Sequence, residues 1–334
     1  MYRAVRALSL VGIIAALYLG PPDGEAAQPG SLPAIEYVDI TRQVGIEFHH
    51  TTGASGRRYF PETMGAGVGF VDFDGDQDLD IYFVNGAAFP GYEGATNPVN
   101  ALFRNENGRF EEVARDTGVD HPGHGMGCAF ADYDNDGDAD LYLTNYGANV
   151  MYRNEGDGRY RDLTDQATVV DTAWSVGSTF FDYDNDGDLD LYVANYVHYD
   201  LAYAEKTLEG YVAKSQRALA EDIEAYPHPR NFAGAEDQLF RNEGNGRFRT
   251  VNQQVGLVDT SATAGRGLGV VATDYDNDGW SDLYVANDAV PNFLYRNEGG
   301  TRFTEIGRLA GVAYGQDGQQ EAGMGVDAAD YDND

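Results

Sequence analysis

The apolar positions of this chain fall in short runs of three to five residues, separated by stretches rich in glycine, asparagine and aspartate. Runs this short, rich in Val, Tyr, Phe and Leu, predict strands rather than helices. The same order of runs recurs. FVDFDGDQDLDIYFVN starts at Phe70, FADYDNDGDADLYLTN at Phe130, FFDYDNDGDLDLYVAN at Phe180 and ATDYDNDGWSDLYVAN at Ala272, and a fifth copy, AADYDND, starts at Ala328. Each complete copy is followed by a second motif: ALFRNENGRF from Ala101, VMYRNEGDGRY from Val150, QLFRNEGNGRF from Gln238 and FLYRNEGGTRF from Phe293. An Asn/Gly-rich centre between aromatic ends is a hairpin signal. A glycine-rich run, such as Gly125-Met126-Gly127 or Gly267-Leu268-Gly269, precedes every aspartate cluster. Each repeat therefore supplies four short strands: one running into the cluster, one leaving it, and two in the hairpin. Four-stranded units of about 50 residues predict an all-β fold, a β-propeller, with glycines where the blades converge.

The first aspartates stand at 72, 132, 182, 274 and 330. Four blades and the start of a fifth are expected over residues 28–334. Residues 35–48 read like the fourth strand of a blade, of the kind that closes a propeller ring, so the chain reads as an N-terminal fragment of a longer protein. The long step between 182 and 274 carries an insertion over about residues 197–236, of helical composition, which holds both lysines, Lys206 and Lys214. It is either a packing elaboration or a lid or partner surface. At the N-terminus, Arg3 and Arg6 precede an apolar run over 7–19, and small residues follow at Ala26 and Ala27, so residues 1–27 predict a secretory signal peptide, with an uncleaved anchor as the alternative. The protein is then secreted, or periplasmic or otherwise extracellular, with no membrane span once the signal is removed.

Composition adds chemistry to this outline. Against 22 Lys+Arg stand 55 Asp+Glu, giving a net charge of −33, which repels phosphate backbones and excludes nucleic acid as a partner class. The single cysteine, Cys128, excludes a disulfide framework within the chain and any zinc site built on several cysteines. Twenty-two of the acidic residues crowd into the five aspartate clusters, a repulsive arrangement unless a cation sits among them. The spacing Asp-x-Asp-x-Asp-Gly-x-x-Asp turns alternate carboxylates toward one point, with a glycine at position 6 where the chain needs positive φ. Oxygen-only ligation of this kind selects Ca²⁺. The expected metal residues are Asp72, Asp74, Asp76, Asp78 and Asp80; Asp132, Asp134, Asp136, Asp138 and Asp140; Asp182, Asp184, Asp186, Asp188 and Asp190; and Asp274, Asp276, Asp278, Trp280 and Asp282, where position 7 offers its backbone carbonyl. The first copy departs from the others, with Gly75 at position 4 and Gln77 at position 6. The fifth, at Asp330, Asp332 and Asp334, lacks its glycine and last ligand.

These repeats resemble FG-GAP/VCBS-type repeats, as in integrin α-subunit propellers. With the FHHTTG segment at Phe48 and the PETMGAGVGF segment at Pro61, residues 35–334 most resemble the bacterial cartilage-acidic-protein family, whose members also carry an ASPIC/UnbV region. The resemblance implies a seven-bladed, calcium-binding extracellular propeller.

The sequence shows no Gly-x-Ser-x-Gly elbow, His-Glu-x-x-His or phosphate loop. Cys128 reads as a small buried side chain, and His49-His50 and His121-x-x-His124 as loop histidines. The Arg of each Arg-Asn-Glu is expected to pair with carboxylates between blades. The leading functional expectation is an adhesion or ligand-binding module for a glycan or protein, monomeric when full length. The alternative is a polysaccharide lyase on a calcium-loop propeller, its basic residues drawn from His198, His228, Lys214 and Arg57-Arg58.

Overall fold

The computed structural model describes residues 37–202, 226–257 and 265–330. Two compact units divide the chain, Met1–Asp39 and Ile40–Asp334. Of the first, residues 37–39 are described; they are exposed and form no regular structure. The predicted signal segment, most of the insertion (203–225) and residues 331–334 of the fifth aspartate cluster lie outside the described residues. Among the described residues no helix is long and apolar enough to cross a membrane.

The second unit is a β-propeller of four-stranded antiparallel blades. Blade 1 holds β1 (Val68–Val71), β2 (Asp80–Phe83), β3 (Ala101–Asn105) and β4 (Phe110–Glu112). Blade 2 holds β5 (His124–Ala131), β6 (Asp140–Tyr146), β7 (Val150–Asn154) and β8 (Tyr160–Asp162). Blade 3 holds β9 (Ser175–Phe181), β10 (Asp190–Asn195), β11 (Gln238–Asn242) and β12 (Phe248–Thr250), and blade 4 holds β13 (Gly267–Thr273), β14 (Asp282–Asn287), β15 (Phe293–Asn297) and β16 (Phe303–Glu305). In every blade the strands pair in sequence order, as the repeat pattern predicts. The aspartate clusters are the turns between first and second strands.

Successive blades are neighbours through their first strands, β1 against β5, β5 against β9 and β9 against β13. Glycine permits that approach. A Cβ at Gly127 would stand 2.5 Å from the carbonyl oxygen of Val176 in β9, and one at Gly67 would stand 3.0 Å from the Cα of Gly127. Gly127→Ala is therefore expected to cost about 2–3 kcal/mol, as overpacking against backbone that cannot yield; urea unfolding checks it. Between blades the core is aliphatic and aromatic, with Tyr82, Leu141 and Leu143 buried between blades 1 and 2, and Tyr192, Leu239 and Leu283 between blades 3 and 4.

The pattern of apolar residues did not announce the one-turn helices that follow each fourth strand: α1 (Ala114–Thr117), α2 (Thr164–Ala167), α3 (Asn252–Val255) and α4 (Gly307–Ala310). Each ends in a left-handed residue, Gly118, Thr168, Gly256 or Gly311. Residues 40–46, read from sequence as part of a strand, adopt this turn instead. Val44 N–H donates to Ile40 O at 3.1 Å and Ile46 N–H to Thr41 O at 3.1 Å, matching Val255 to Val251 (3.1 Å) and Leu257 to Asn252 (2.9 Å) in α3. Val44 O then accepts from Phe110 N–H at 2.7 Å, at the start of β4.

At the ends of the inner strands away from the aspartate turns lies an aromatic cluster. Phe60, on a 3₁₀ turn (Phe60–Thr63), meets Trp174 edge-on at 5.3 Å and stacks on Phe232 at 5.4 Å, with Tyr196 and Tyr199 beside it. His124, expected on a loop, is buried under this turn at the start of β5. Its Nδ1 accepts from Ala87 N–H at 3.0 Å, its Nε2 faces Pro61 O at 3.4 Å, and burial pushes its pKa down to about 4. His121 is likewise depressed by burial and lies 3.4 Å from the Tyr152 hydroxyl. Cys128 is half-buried in β5, with its thiol pushed up to about 12 by burial, which removes thiolate chemistry near neutral pH.

Candidate metal centres

Each aspartate turn is built by its own backbone. In blade 2, Asp132 Oδ1 accepts from Asp136 N–H (3.0 Å) and its Oδ2 from Gly137 N–H (2.9 Å), while Asp136 Oδ1 accepts from Asp138 N–H (3.0 Å). The same bonds recur in blade 3 (Asp182, Asp186) and blade 4 (Asp274, Asp278). In blade 1 they are made by Asp72 and Asp76. Curling the chain around position 1 requires left-handed backbone at both position 4 and position 6. Position 4 is Asn135, Asn185 or Asn277 at φ 55–58, residues whose short amide tolerates that region, and position 6 is Gly137, Gly187 or Gly279. The first turn keeps this geometry with its residues exchanged: Gly75 is at φ 76 and Gln77 at φ 75. The unusual sequence thus leaves the shape intact and places the strain on Gln77. Gln77→Gly is expected to stabilise the protein by roughly 0.5–1 kcal/mol, the left-handed penalty less the added unfolded-state entropy; the midpoint of urea unfolding in calcium-free buffer checks it.

In each turn three carboxylates come within 4.8 Å of one another: Asp72, Asp74 and Asp80; Asp132, Asp134 and Asp136; Asp182, Asp184 and Asp190; and Asp274, Asp276 and Asp282. The position-9 aspartates, Asp80, Asp140, Asp190 and Asp282, are fully buried. Each is held from two sides. Asp190 Oδ2 accepts from Tyr183 N–H (3.1 Å) and Oδ1 from Asn242 N–H (2.8 Å), and the other three repeat this pairing. The position-7 residues take other partners. Asp78 Oδ2 accepts from Asn107 N–H (3.0 Å) and Asp188 Oδ1 from Asn135 Nδ2 (3.2 Å), while Trp280 donates its N–H to Asp278.

Electrostatics mark these carboxylates as unsettled without a counter-charge. Burial, followed by neighbouring aspartates and offset in part by the backbone N–H bonds, pushes Asp80 up to about 6 and both Asp140 and Asp190 up to about 8; Asp282 shifts the same way. Asp74, Asp134 and Asp184 are also raised, first by burial and then by their acidic neighbours. Asp134 Oδ1 and Asp184 Oδ1 are buried and have no hydrogen-bond partner. A buried, orphaned carboxylate oxygen beside two more carboxylates is a group built for a cation, so the residues present fit Ca²⁺, with the position-1, -3 and -9 carboxylates as the core ligands in blades 1, 3 and 4 and those of positions 1, 3 and 5 in blade 2.

The repeated Arg-Asn-Glu tripeptide has a different role from the one its charges suggest. Its arginines pair within their own blades, not between blades: Arg241 reaches Asp184 (2.8 Å) and Asp186 (2.9 Å), Arg153 reaches Glu155 (2.8 Å), Arg104 reaches Glu106 and Glu111 (3.1 Å each), and Arg296 reaches Glu298 (3.4 Å). The third strand simply lies beside its own aspartate turn. Blade-to-blade contact falls to the asparagine. Asn154 Nδ2 donates to Phe73 O (2.7 Å), Asn242 Nδ2 to Tyr133 O (2.8 Å) and Asn297 Nδ2 to Tyr183 O (2.7 Å), in each case the position-2 carbonyl of the preceding blade's turn.

The residues considered for lyase chemistry are scattered in role. His228 Nδ1 accepts from Arg230 N–H (3.1 Å), His198 gives its backbone N–H to Ala233 O (2.9 Å), Arg58 sits in left-handed backbone at φ 59, and Lys214 lies outside the described residues. Sequence reading did not single out Glu62, which is buried and accepts from Ser55 Oγ (2.7 Å) and from the hydroxyl of Tyr226 (3.3 Å).

Comparison with known proteins gives one family, described as FG-GAP-like repeat, matching at residues 72–143, 132–193, 231–285 and 274–334. No curated protein matches the chain. Among solved structures, one described as the basis of specific recognition of non-reducing terminal N-acetylglucosamine by an Agrocybe aegerita lectin matches with 17% identity and a TM-score of 0.37, over 70% of this chain and 49% of that one. The chain thus spans about half the length of that structure.

Proposed function

This chain belongs to the family of FG-GAP-like repeats, and on that basis we propose that it is an exported, calcium-binding β-propeller that serves as an adhesion or ligand-binding module. The observation that carries the calcium reading is the pair of buried, orphaned oxygens, Asp134 Oδ1 and Asp184 Oδ1, each inside a carboxylate triad. Several carboxylates in a flexible loop suit calcium better than magnesium, which demands near-ideal octahedral geometry and keeps its waters. Export is supported by the basic-then-apolar segment over 1–19.

Affiliation with the cartilage-acidic-protein family, and a ring of seven blades, belong to the same proposal. The FHHTTG and PETMGAGVGF segments support the affiliation. On β1, Val68 is 56% and Phe70 65% exposed, whereas Phe130, the counterpart of Phe70 in β5, packs on Gly69 of blade 1, which supports a further blade against β1. The partner is a glycan or protein, and the full-length molecule is a monomer.

The test has two parts. Elemental analysis of protein purified without chelator should find one calcium per aspartate triad; protein free of calcium that also fails to bind it in calorimetry would end the metal reading. Glycan and protein arrays probed with and without calcium should show calcium-dependent capture, and capture indifferent to chelation would remove calcium from the binding role.

A further inference from the structure

We propose that the aspartate turns are coupled by a buried hydrogen-bonded belt around the propeller, so that a cation in one turn raises the affinity of the next. The inference rests on reading the turns as cation sites and adds to it an interaction between them.

The belt can be followed atom by atom. Asp80 accepts the N–H of Phe73, whose carbonyl accepts Asn154 Nδ2; the backbone N–H of Asn154 goes to Asp140 in the next turn. Asp140 accepts the N–H of Tyr133, whose carbonyl accepts Asn242 Nδ2, and Asn242 N–H goes to Asp190. Asp190 accepts the N–H of Tyr183, whose carbonyl accepts Asn297 Nδ2, and Asn297 N–H goes to Asp282. The four position-9 aspartates and Asn154, Asn242 and Asn297 are at most 1% exposed, so water does not compete for these bonds.

Two features make this a route for coupling rather than a string of unrelated contacts. Every step passes through one position-2 residue or one asparagine. A position-9 carboxylate holds the N–H of the position-2 residue, and the carbonyl of that residue, on the other side of its Cα, holds the next blade's asparagine, so turning the carboxylate shifts the residue that holds the asparagine. That asparagine in turn sets the carboxylate of the following turn. A cation drawing Asp182, Asp184 and Asp190 together fixes both peptides of Tyr183, the N–H one shared with Asp182 and the carbonyl one shared with Asp184, and, through Asn297, the orientation of Asp282. The cost of ordering the fourth turn is then partly met before its own cation arrives, which is positive cooperativity. A second, exposed link joins the same turns, Asn185 Nδ2 to Gly279 O at 3.1 Å, where solvent weakens it.

Trp280 makes the coupling between the third and fourth turns measurable. It stands at position 7 of the fourth turn, whereas Trp174 is buried in the aromatic cluster at the opposite ends of the inner strands. Terbium, a calcium substitute, added to calcium-free protein and excited through tryptophan reports the third and fourth turns together, because the Trp280 ring lies against Gly300, which also borders Asp184 of the third turn; in Asp184→Asn it reports the fourth turn. With Asp184→Asn in the third turn, the terbium midpoint should rise about 5-fold or more, within the range of ordinary coupling energies. With Asp74→Asn, in the first turn and two blades further off, it should move less than about 2-fold, since coupling decays along the belt. In an Asn297→Ser background, which removes the arm to Tyr183 O and keeps the backbone N–H to Asp282, the effect of Asp184→Asn should fall below about 2-fold. An unmoved midpoint in Asp184→Asn, equal shifts from Asp74→Asn and Asp184→Asn, or an undiminished shift in the Asn297→Ser background overturns the belt while leaving cation binding intact. Absence of any terbium signal in the parent protein overturns the cation reading and the belt with it. Should Asn297→Ser fail to fold, Asn297→Thr, which also lacks the amide arm, takes its place in the same comparison.

Discussion

Removing divalent cations with excess EDTA lowers the melting temperature of this protein by more than about 10 °C, because the aspartate turns bind metal only when folded. At a calcium concentration a hundredfold above its dissociation constant, one site contributes about 2.7 kcal/mol to the folded state. For a unit of this size each kcal/mol moves the melting point by about 1.5–2 °C, so three fully occupied turns suffice for the effect. The same loss leaves buried carboxylates facing one another, Asp182, Asp184 and Asp190 among them, with Arg241 as the nearest compensating charge in blade 3. Calcium restores the melting point, and magnesium at equal concentration restores much less of it. Scanning calorimetry in calcium, in EDTA, and in EDTA followed by excess calcium or magnesium makes the measurement. Identical curves in calcium and in EDTA would show that the turns stand without a cation.

Between pH 6.5 and pH 8 the metal-free protein loses stability as the pH rises, whereas buried carboxylates paired with arginine would leave stability unchanged across that window. Asp140 and Asp190 titrate at about 8 in the folded, metal-free protein, raised chiefly by burial, against an ordinary value of 3.8. The folded state therefore holds these protons more tightly than the unfolded chain does. Their stabilising contribution is complete only below the unfolded value and is lost as pH climbs through the folded one. Histidine works in the opposite sense: His124, depressed to about 4 by burial, favours folding more as pH rises, but only up to the unfolded histidine value near 6.5. Above that point the aspartates act without this opposition. The expected fall across the window is about 5 °C. With saturating calcium the cation takes the place of the protons, so the fall disappears and the stabilisation due to calcium grows with pH. Melting curves of chelator-dialysed and calcium-loaded protein at pH 6.5, 7.25 and 8 test this. Asp190→Asn should roughly halve the metal-free slope, and a metal-free melting point that climbs toward pH 8 would refute the assignment of these protons.

The expected calcium and pH effects both rest on aspartates that the sequence pattern alone groups into turns. The alternation of aspartate with other residues, in register four times, identified the turns, because ligand geometry inside one turn is set by sequence neighbours and by which residues tolerate left-handed backbone. Even there the reading was incomplete. Position 4 shares the left-handed requirement with position 6, so the exchanged residues of the first turn, Gly75 and Gln77, still form it.

What the chain by itself determined is therefore the local chemistry and the repeat: strands of known order, hairpins at Arg-Asn-Glu, and carboxylates gathered by their own loop. Only the tertiary structure decided what reaches across blades. Arg241 looked like the bridging group because of its charge, yet it turns back to its own loop, while the uncharged Asn242 spans to Tyr133 O. His124 looked like a loop residue and lies buried beneath Pro61. Partners separated by 50 or 100 residues are chosen by the packing distance between sheets, fixed here by glycine-lined inner strands, and no local pattern encodes that distance.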